Sequence, residues 1–477
     1  MRRPGSRGAV GARPVLVVAV GVLIVAVLVA VLSSGGPPPL PLPGIGQPAR
    51  PGDPFAYVAG RQTDLIARAT AGEANVLFAK SPGGAVATAR RVAAFRSLID
   101  RASAGTSISP DTLEGIVFLE SAGDPNAIAG SDPAAASGLT QIVAETGQSL
   151  LGMHIDLARS RRLTAAIDRA YALGERGRVA QLQRARAKID DRFDPAKAVA
   201  GTVRYLELAQ QHLGRADLAI ESYHMGIGNL QNVLAAYDSG QPVPYVQLYF
   251  DTSPSNHPDA YRLLSGFGDD SWTYYWRVLA GEQIMRLYRT DPAALARLAS
   301  LQTATGSAAE VLHPPDRTPV FTDPGALDSA YADRTILPLP ANARALGLAY
   351  DPAMGSLAHR LGVSAALYRG LRAPALDLLI ELAARVRTLS GGLAPLIVSG
   401  TVTDAQYQHR LGVSDPPAAA GWSFTIARRY VREAQAEAFQ AMLDRLQSLN
   451  LIAWQRFPDE IEITVAADAG RVIVNGP

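Results

Sequence analysis

Residues 15–32 form an unbroken apolar run with no charge in it, and this run constrains the chain more than any other feature. At about 1.5 Å per residue a helix of that length reaches about 27 Å, enough to span a bilayer core with little tilt. The tail before it, 1–14, carries Arg2, Arg3, Arg7 and Arg13. Basic residues on that side hold the N-terminus in the cytoplasm and place everything after the run outside. A cleavable signal peptide is the rival reading, but its apolar stretch is usually shorter and ends in a small-x-small site. Here the run ends in Val31-Leu32-Ser33-Ser34, which favours an uncleaved anchor.

The next segment, 33–54, is rich in proline and glycine and reads as an extended spacer. The whole chain, at 477 residues, is too long for one core, so two folded regions are expected. The apolar content is Ala, Leu and Val more than aromatic, which leans towards helices. A net charge of +2 gives no basis for a nucleic-acid partner. Without any cysteine, disulfides, thiol catalysis and thiolate-bound metals are excluded.

Helical spacing is expected over 56–80 and 84–102, and a helix starts well at Ser109-Pro110-Asp111, with Ser109 as cap. Helical patterning continues to about residue 300. The arginine-rich stretch 159–192 reads as a solvated helix face with ion pairs rather than a docking surface for anionic polymers. The prolines of 301–345 break the periodicity and suggest a linker or crossover. After it, 373–389 and 433–449 read as helices, and 395–402, 461–465 and 472–474 as strands.

Three segments carry candidate chemistry: Gly115-Ile116-Val117-Phe118-Leu119-Glu120-Ser121, Ala136-Ser137-Gly138-Leu139-Thr140-Gln141-Ile142, and Glu221-Ser222-Tyr223-His224-Met225-Gly226-Ile227-Gly228-Asn229. In this order, with Asp124-Pro125-Asn126-Ala127 after the glutamate, they resemble the soluble lytic transglycosylase family of goose-type lysozyme fold. The resemblance covers about 113–237. It implies that Glu120 is the catalytic acid and base, that Ser121 helps hold the substrate or the acid, that Gln141 lines the cleft, and that Tyr223 places its hydroxyl near the glutamate. Thr140 replaces the family's methionine, and His224 stands where many members have asparagine, which leaves its role in substrate binding open.

The residues fit such chemistry on their own. Ile116, Val117, Phe118 and Leu119 precede Glu120, and apolar neighbours favour a protonated carboxyl that can donate to a glycosidic oxygen. Most glycosidases add a second carboxylate. Glu114, Asp124 and Asp132 are nearby, but Asp124-Pro125-Asn126 reads as a turn and Glu114 as helix interior. Trp272, Tyr274, Tyr275 and Trp276 could stack on sugars, yet packing is the commoner fate of such a cluster. The stretch 151–194 separates the second and third segments more widely than is usual in the family.

Ala420-Gly421-Trp422-Ser423-Phe424-Thr425-Ile426-Ala427-Arg428-Arg429-Tyr430, the following helix and Ile461-Glu462-Ile463-Thr464-Val465 resemble the zinc D-Ala-D-Ala carboxypeptidases. That family's ligand positions hold Ala418, Thr425 and Glu462 here, so the resemblance implies a domain that has lost its metal.

The expected fold is therefore multidomain: a transmembrane helix, a mainly α lysozyme-like domain over 55–300, and an α+β domain over 346–477. The expected function is cleavage of the MurNAc-GlcNAc bond of peptidoglycan with formation of a 1,6-anhydro ring, without cofactor or metal, on the outer side of the cell membrane. The partners are glycan strands, the membrane through residues 15–32, and the envelope machinery that recruits the enzyme. A hydrolytic muramidase and a non-catalytic wall-binding protein are the alternatives.

Overall fold

The computed structural model describes residues 54–268, 270–304 and 307–474. The tail, the expected membrane span at 15–32 and the spacer up to residue 53 lie outside the described residues. Among those described, no helix is long and apolar enough to cross a membrane. The chain is mainly helical, with a small mixed sheet towards its C-terminal end.

Two compact units divide the chain, and neither is continuous in sequence. The first comprises Lys80–Ile227 and Arg277–Pro292; the second comprises Gly35–Ala79, of which residues 54–79 are described, with Gly228–Trp276 and Ala293–Pro477. The expected boundaries, 55–300 and 346–477, differ from this partition. Helix Gln62–Lys80, expected in the α domain, belongs almost entirely to the second unit, where Arg68 meets Asp468 at 2.6 Å and Asn75 bonds Gln302 at 2.7 Å. Partners so remote in sequence leave no local pattern to read.

In the first unit the leading helices are α1 (Ala85–Ala93), α2 (Arg96–Ser103) and α3 (Pro110–Ser121). The expected single helix over 84–102 is thus two. As anticipated, the Ser109 hydroxyl caps α3 by accepting from the Asp111 amide at 3.2 Å, and Pro110 occupies its first turn. There follow α4 (Leu157–Ala172), α5 (Arg176–Ala187), α6 (Pro195–Leu213) and α7 (Ala216–Met225). The last is α8 (Tyr274–Thr290), of which the part from Arg277 belongs to this unit. Helix α3 crosses α8 closely: a Cβ on Gly115 would lie 2.6 Å from the Val278 carbonyl oxygen, so only glycine fits. Beside that crossing, fully buried Glu114 is ion-paired with Arg96 at 2.9 Å and with Arg289.

The second unit contains a five-stranded sheet of β1 (Leu348–Tyr350), β2 (Leu396–Gly400), β3 (Ser423–Ala427), β4 (Ile452–Arg456) and β5 (Glu460–Val465). Its order is β1-β2-β3-β5-β4, parallel between β1 and β2 and antiparallel elsewhere. Phe424, Ile426, Ile461 and Ile463 are buried on one face, alternating with Ser423, Thr425, Glu462 and Thr464 on the other. Helices α9 (Ala373–Leu389) and α10 (Glu433–Ser448) match the sequence expectation.

Two expectations are corrected here. The proposed linker 301–345 is folded: helices Ser307–Leu312 and Pro324–Ala332 lie within it, and Leu327, Ala330 and Ile336 share a core with Tyr368 and Val402. Its prolines mark boundaries, since Pro324 opens a helix whose cap, Asp323, accepts from the Gly325 and Ala326 amides at 2.9 and 3.0 Å. The segment 472–474 is not a strand but the end of a short helix, Ala469–Val474. Its apolar run is too brief for periodicity to separate the two.

Candidate active site

Glu120 lies in the last turn of α3, half-buried, and Ala122 ends the helix in a left-handed conformation with φ 52°. Ser121 is next to it, and its hydroxyl donates to the Leu139 carbonyl at 2.6 Å. That contact ties the end of α3 to the second motif. The second motif is a tight turn in which Ser137 and Ile142 exchange backbone hydrogen bonds of 3.1 and 3.2 Å. Gly138 within it has φ +82°, and a Cβ there would stand 1.8 Å from the Arg192 carbonyl oxygen. Both facts demand glycine.

Gln141 is buried and itself left-handed, with φ 52°. Its side-chain amide donates to the Gly138 and Ala127 carbonyls at 2.8 and 3.2 Å. The residue therefore locks the turn as well as contributing to the groove wall. Tyr223, on α7, completes the convergence: its hydroxyl donates to the Thr140 carbonyl at 2.8 Å and lies 3.1 Å from Thr202 Oγ1. Burial, and next the negative field of Glu120, push the Tyr223 hydroxyl well above the usual tyrosine range. The three sequence segments thus meet through Ser121–Leu139 and Thr140–Tyr223.

A groove of 340 Å³ runs beside this junction, lined by Gln141, Tyr205, Tyr223, exposed His224 and the apolar side chains of Val143 and Leu150 among others. Glu120 is not part of that lining and connects to it through Tyr223. The chain matches no family model, no curated protein and no solved structure. Its site must accordingly be read from its own geometry.

Three carboxylates close to Glu120 in sequence are committed elsewhere. Besides Glu114 in its ion pairs, Asp124 accepts from the Asn126 amide at 2.8 Å, and Asp132 is bound twice by Arg161 at 2.8 Å, which holds its carboxyl below the usual range. Of the aromatic cluster, Trp276 and Tyr274 are buried within the second unit, as packing residues.

Sequence reading missed the residues that support the turn. The stretch 159–192 is not simply a solvated face, because Arg186 and Arg192 are buried. Arg192 binds both oxygens of Asp190, at 2.8 and 3.0 Å, and donates to the carbonyls of Pro133, Ala135 and Ile142 at 2.6, 3.1 and 3.2 Å. Arg186 donates to Thr164 at 2.9 Å and Asn126 at 3.1 Å and stacks 3.6 Å over Phe193; burial lowers its pKa to about 10, so it stays charged at neutral pH. The stretch 151–194 therefore buttresses the loops after Glu120. Tyr205 was missed too, although it packs edge-on to Tyr223 at 5.1 Å and donates to the Ser222 carbonyl at 2.6 Å. Its spacing of three from Thr202 on one helix was the available signal.

The positions of the second unit compared above with zinc ligands hold a hydrogen-bond network. Thr425 sits opposite Glu462 in the β3–β5 register, and the Ser399 hydroxyl lies 3.0 Å from Thr425 Oγ1 and 2.9 Å from Glu460 Oε2. Burial and the neighbouring Asp415 push Glu462 up to about 8. Among the described residues no group of three or more His, Asp or Glu side chains could hold a metal ion.

Proposed function

We propose that the first unit is a lytic transglycosylase acting on peptidoglycan glycan strands, with Glu120 as its single acid and base. The observation that carries this reading is the convergence of Glu120, the 137–142 turn and Tyr223, three segments separated in sequence and joined by two side-chain-to-carbonyl hydrogen bonds. With Glu114, Asp124 and Asp132 each engaged in an ion pair or turn, a single-carboxyl mechanism suits the site better than one that recruits any of these three.

In this mechanism the Glu120 carboxyl gives its proton to the glycosidic oxygen as the C1–O bond breaks. The C6 hydroxyl of the same sugar then bonds to C1 and returns its proton to Glu120, so the ring closes without consuming water. The Tyr223 hydroxyl, kept protonated by burial and by the negative field of Glu120, donates to the Thr140 carbonyl and so holds the groove wall in position beside the acid. His224 and Gln141 belong to the groove that receives the strand. The second unit is a non-hydrolytic module for wall peptides, and residues 15–32 hold the enzyme at the outer side of the membrane.

Digestion of purified sacculi with mass spectrometry of the products tests the proposal. Wild type is expected to release anhydro-ended muropeptides, and Glu120→Gln to release none while melting at the wild-type temperature. Unchanged release by the variant overturns the role of Glu120. Products one water heavier would keep the acid but replace ring closure by hydrolysis.

A further inference from the structure

Helices α4 and α5 form an antiparallel hairpin that projects a turn, residues 173–175, between them. The hairpin is strongly basic: residues 157–188 contain nine Arg and Lys against two acids, Asp168 and Glu175, in a chain whose net charge is only +2. Two of those arginines have structural duties, Arg186 in the interior and Arg161 on Asp132. The others are exposed and fall into rows. Arg159, Arg162 and Arg169 share a flank of α4, away from the buried Ser160, Thr164 and Ile167. On α5, Arg184 and Lys188 lie opposite the buried Val179 and Leu182, and exposed Arg176 stands at the start of the helix beside the turn.

The tip of this basic hairpin is apolar. Tyr171 is 54% exposed and Leu173 73% exposed, whereas the small core beneath them, Ile167, Ala170, Val179 and Leu182, is closed. A soluble polyanion would explain the arginines but not two large apolar side chains held out in water. An anionic bilayer explains both: cations pair with lipid phosphates while a tyrosine and a leucine enter the interfacial layer, where an amphipathic ring is favoured. The apolar run 15–32 in the same chain makes a lipid surface the anionic partner closest at hand.

We infer that the α4–α5 hairpin is a docking element for an anionic phospholipid surface, with Tyr171 and Leu173 entering the interface and the exposed arginines of α4 and α5 contacting the headgroups. This assignment is independent of catalysis. It also gives the stretch 151–194 two faces: an inner one, Arg186 and Arg192, that supports the loops near Glu120, and an outer one that meets lipid.

The absence of cysteine makes a clean test possible. Full-length Leu173→Cys, labelled with an environment-sensitive fluorophore, is reconstituted into vesicles of phosphatidylcholine alone or mixed with phosphatidylglycerol. The emission is expected to shift to the blue only with phosphatidylglycerol, and to return in salt of about 1 M, where the Debye length falls to about 3 Å. Combining Arg159→Gln, Arg162→Gln and Arg169→Gln in the labelled chain should remove the shift, with unchanged circular dichroism. A label at Leu393→Cys, a position 84% exposed in the second unit, should not respond. No shift on anionic vesicles, an equal shift on both lipids, or protection of position 173 by soluble polyglutamate but not by vesicles would each overturn the assignment.

Discussion

Replacing Arg192 by methionine removes the side chain on which the 133–142 loop is hung while keeping much of its volume. The Pro133 carbonyl loses its donor, the Ala135 and Ile142 carbonyls keep only the Ser137 hydroxyl and amide, and Asp190 is left fully buried with the Ser160 hydroxyl at 2.8 Å and the residue-192 amide at 3.3 Å but without the guanidinium bound to it. A buried carboxylate that loses its ion-pair partner costs about 3–5 kcal/mol, and the one stranded acceptor, the Pro133 carbonyl, adds about 1 kcal/mol. The expected loss is about 4–6 kcal/mol, a large part of the stability of an ordinary domain. Adding Asp190→Asn removes the unpaired charge and should restore about 2–3 kcal/mol, leaving the carbonyl component. The measurement is urea unfolding followed by far-UV circular dichroism, because Trp272, Trp276, Trp422 and Trp454 all belong to the second unit and their fluorescence reports on that unit alone. A loss below about 1 kcal/mol for Arg192→Met, or a double variant no more stable than the single one, would refute the claim that this ion pair supports the loop.

Three more outcomes follow from the same geometry. Gly138→Ala should abolish muropeptide release and lower stability by about 3 kcal/mol or more, since it combines a left-handed backbone with a contact of 1.8 Å against the Arg192 backbone; near-wild-type digestion and melting would contradict it. The second unit should weaken as pH rises: Glu462 holds its proton up to about 8 when folded, so its contribution is complete below the unfolded value of about 4.3 and is lost through about 8. Tryptophan-monitored denaturation at pH 5 and 8.5 should show that loss, and Glu462→Gln should flatten it. Dialysis of the full chain against zinc should leave no stoichiometric metal on the second unit, as judged by elemental analysis, because alanine and threonine stand at two ligand positions.

Local elements with strong signals were legible in the sequence. Ser109-Pro110-Asp111 announced the start of α3, and the periodic apolar residues of 373–389 and 433–448 announced α9 and α10, because caps and a 3.6-residue repeat act between neighbours in the chain. The candidate residues Glu120, Ser121, Gln141, Tyr223 and His224 were also nameable in advance. Their arrangement was not. Ser121 and Gln141 turn their polar groups towards backbone carbonyls, so they shape the turn, while Gln141, Tyr223 and His224 line the groove and Glu120 does not.

What the sequence determined by itself was the mixture of elements, the lack of thiol chemistry and the order of the candidate motifs. Tertiary structure alone decided that residues 54–79 join the C-terminal sheet unit, that a proline-rich stretch is folded, and that two arginines in a basic run are interior while others nearby stay in water. An arginine's fate depends on whether a carboxylate and free carbonyls await it, and for Arg192 those carbonyls come from residues 133–142, about fifty positions earlier. Local pattern records which face of a helix is apolar; it carries no record of what a distant segment will bring to meet it.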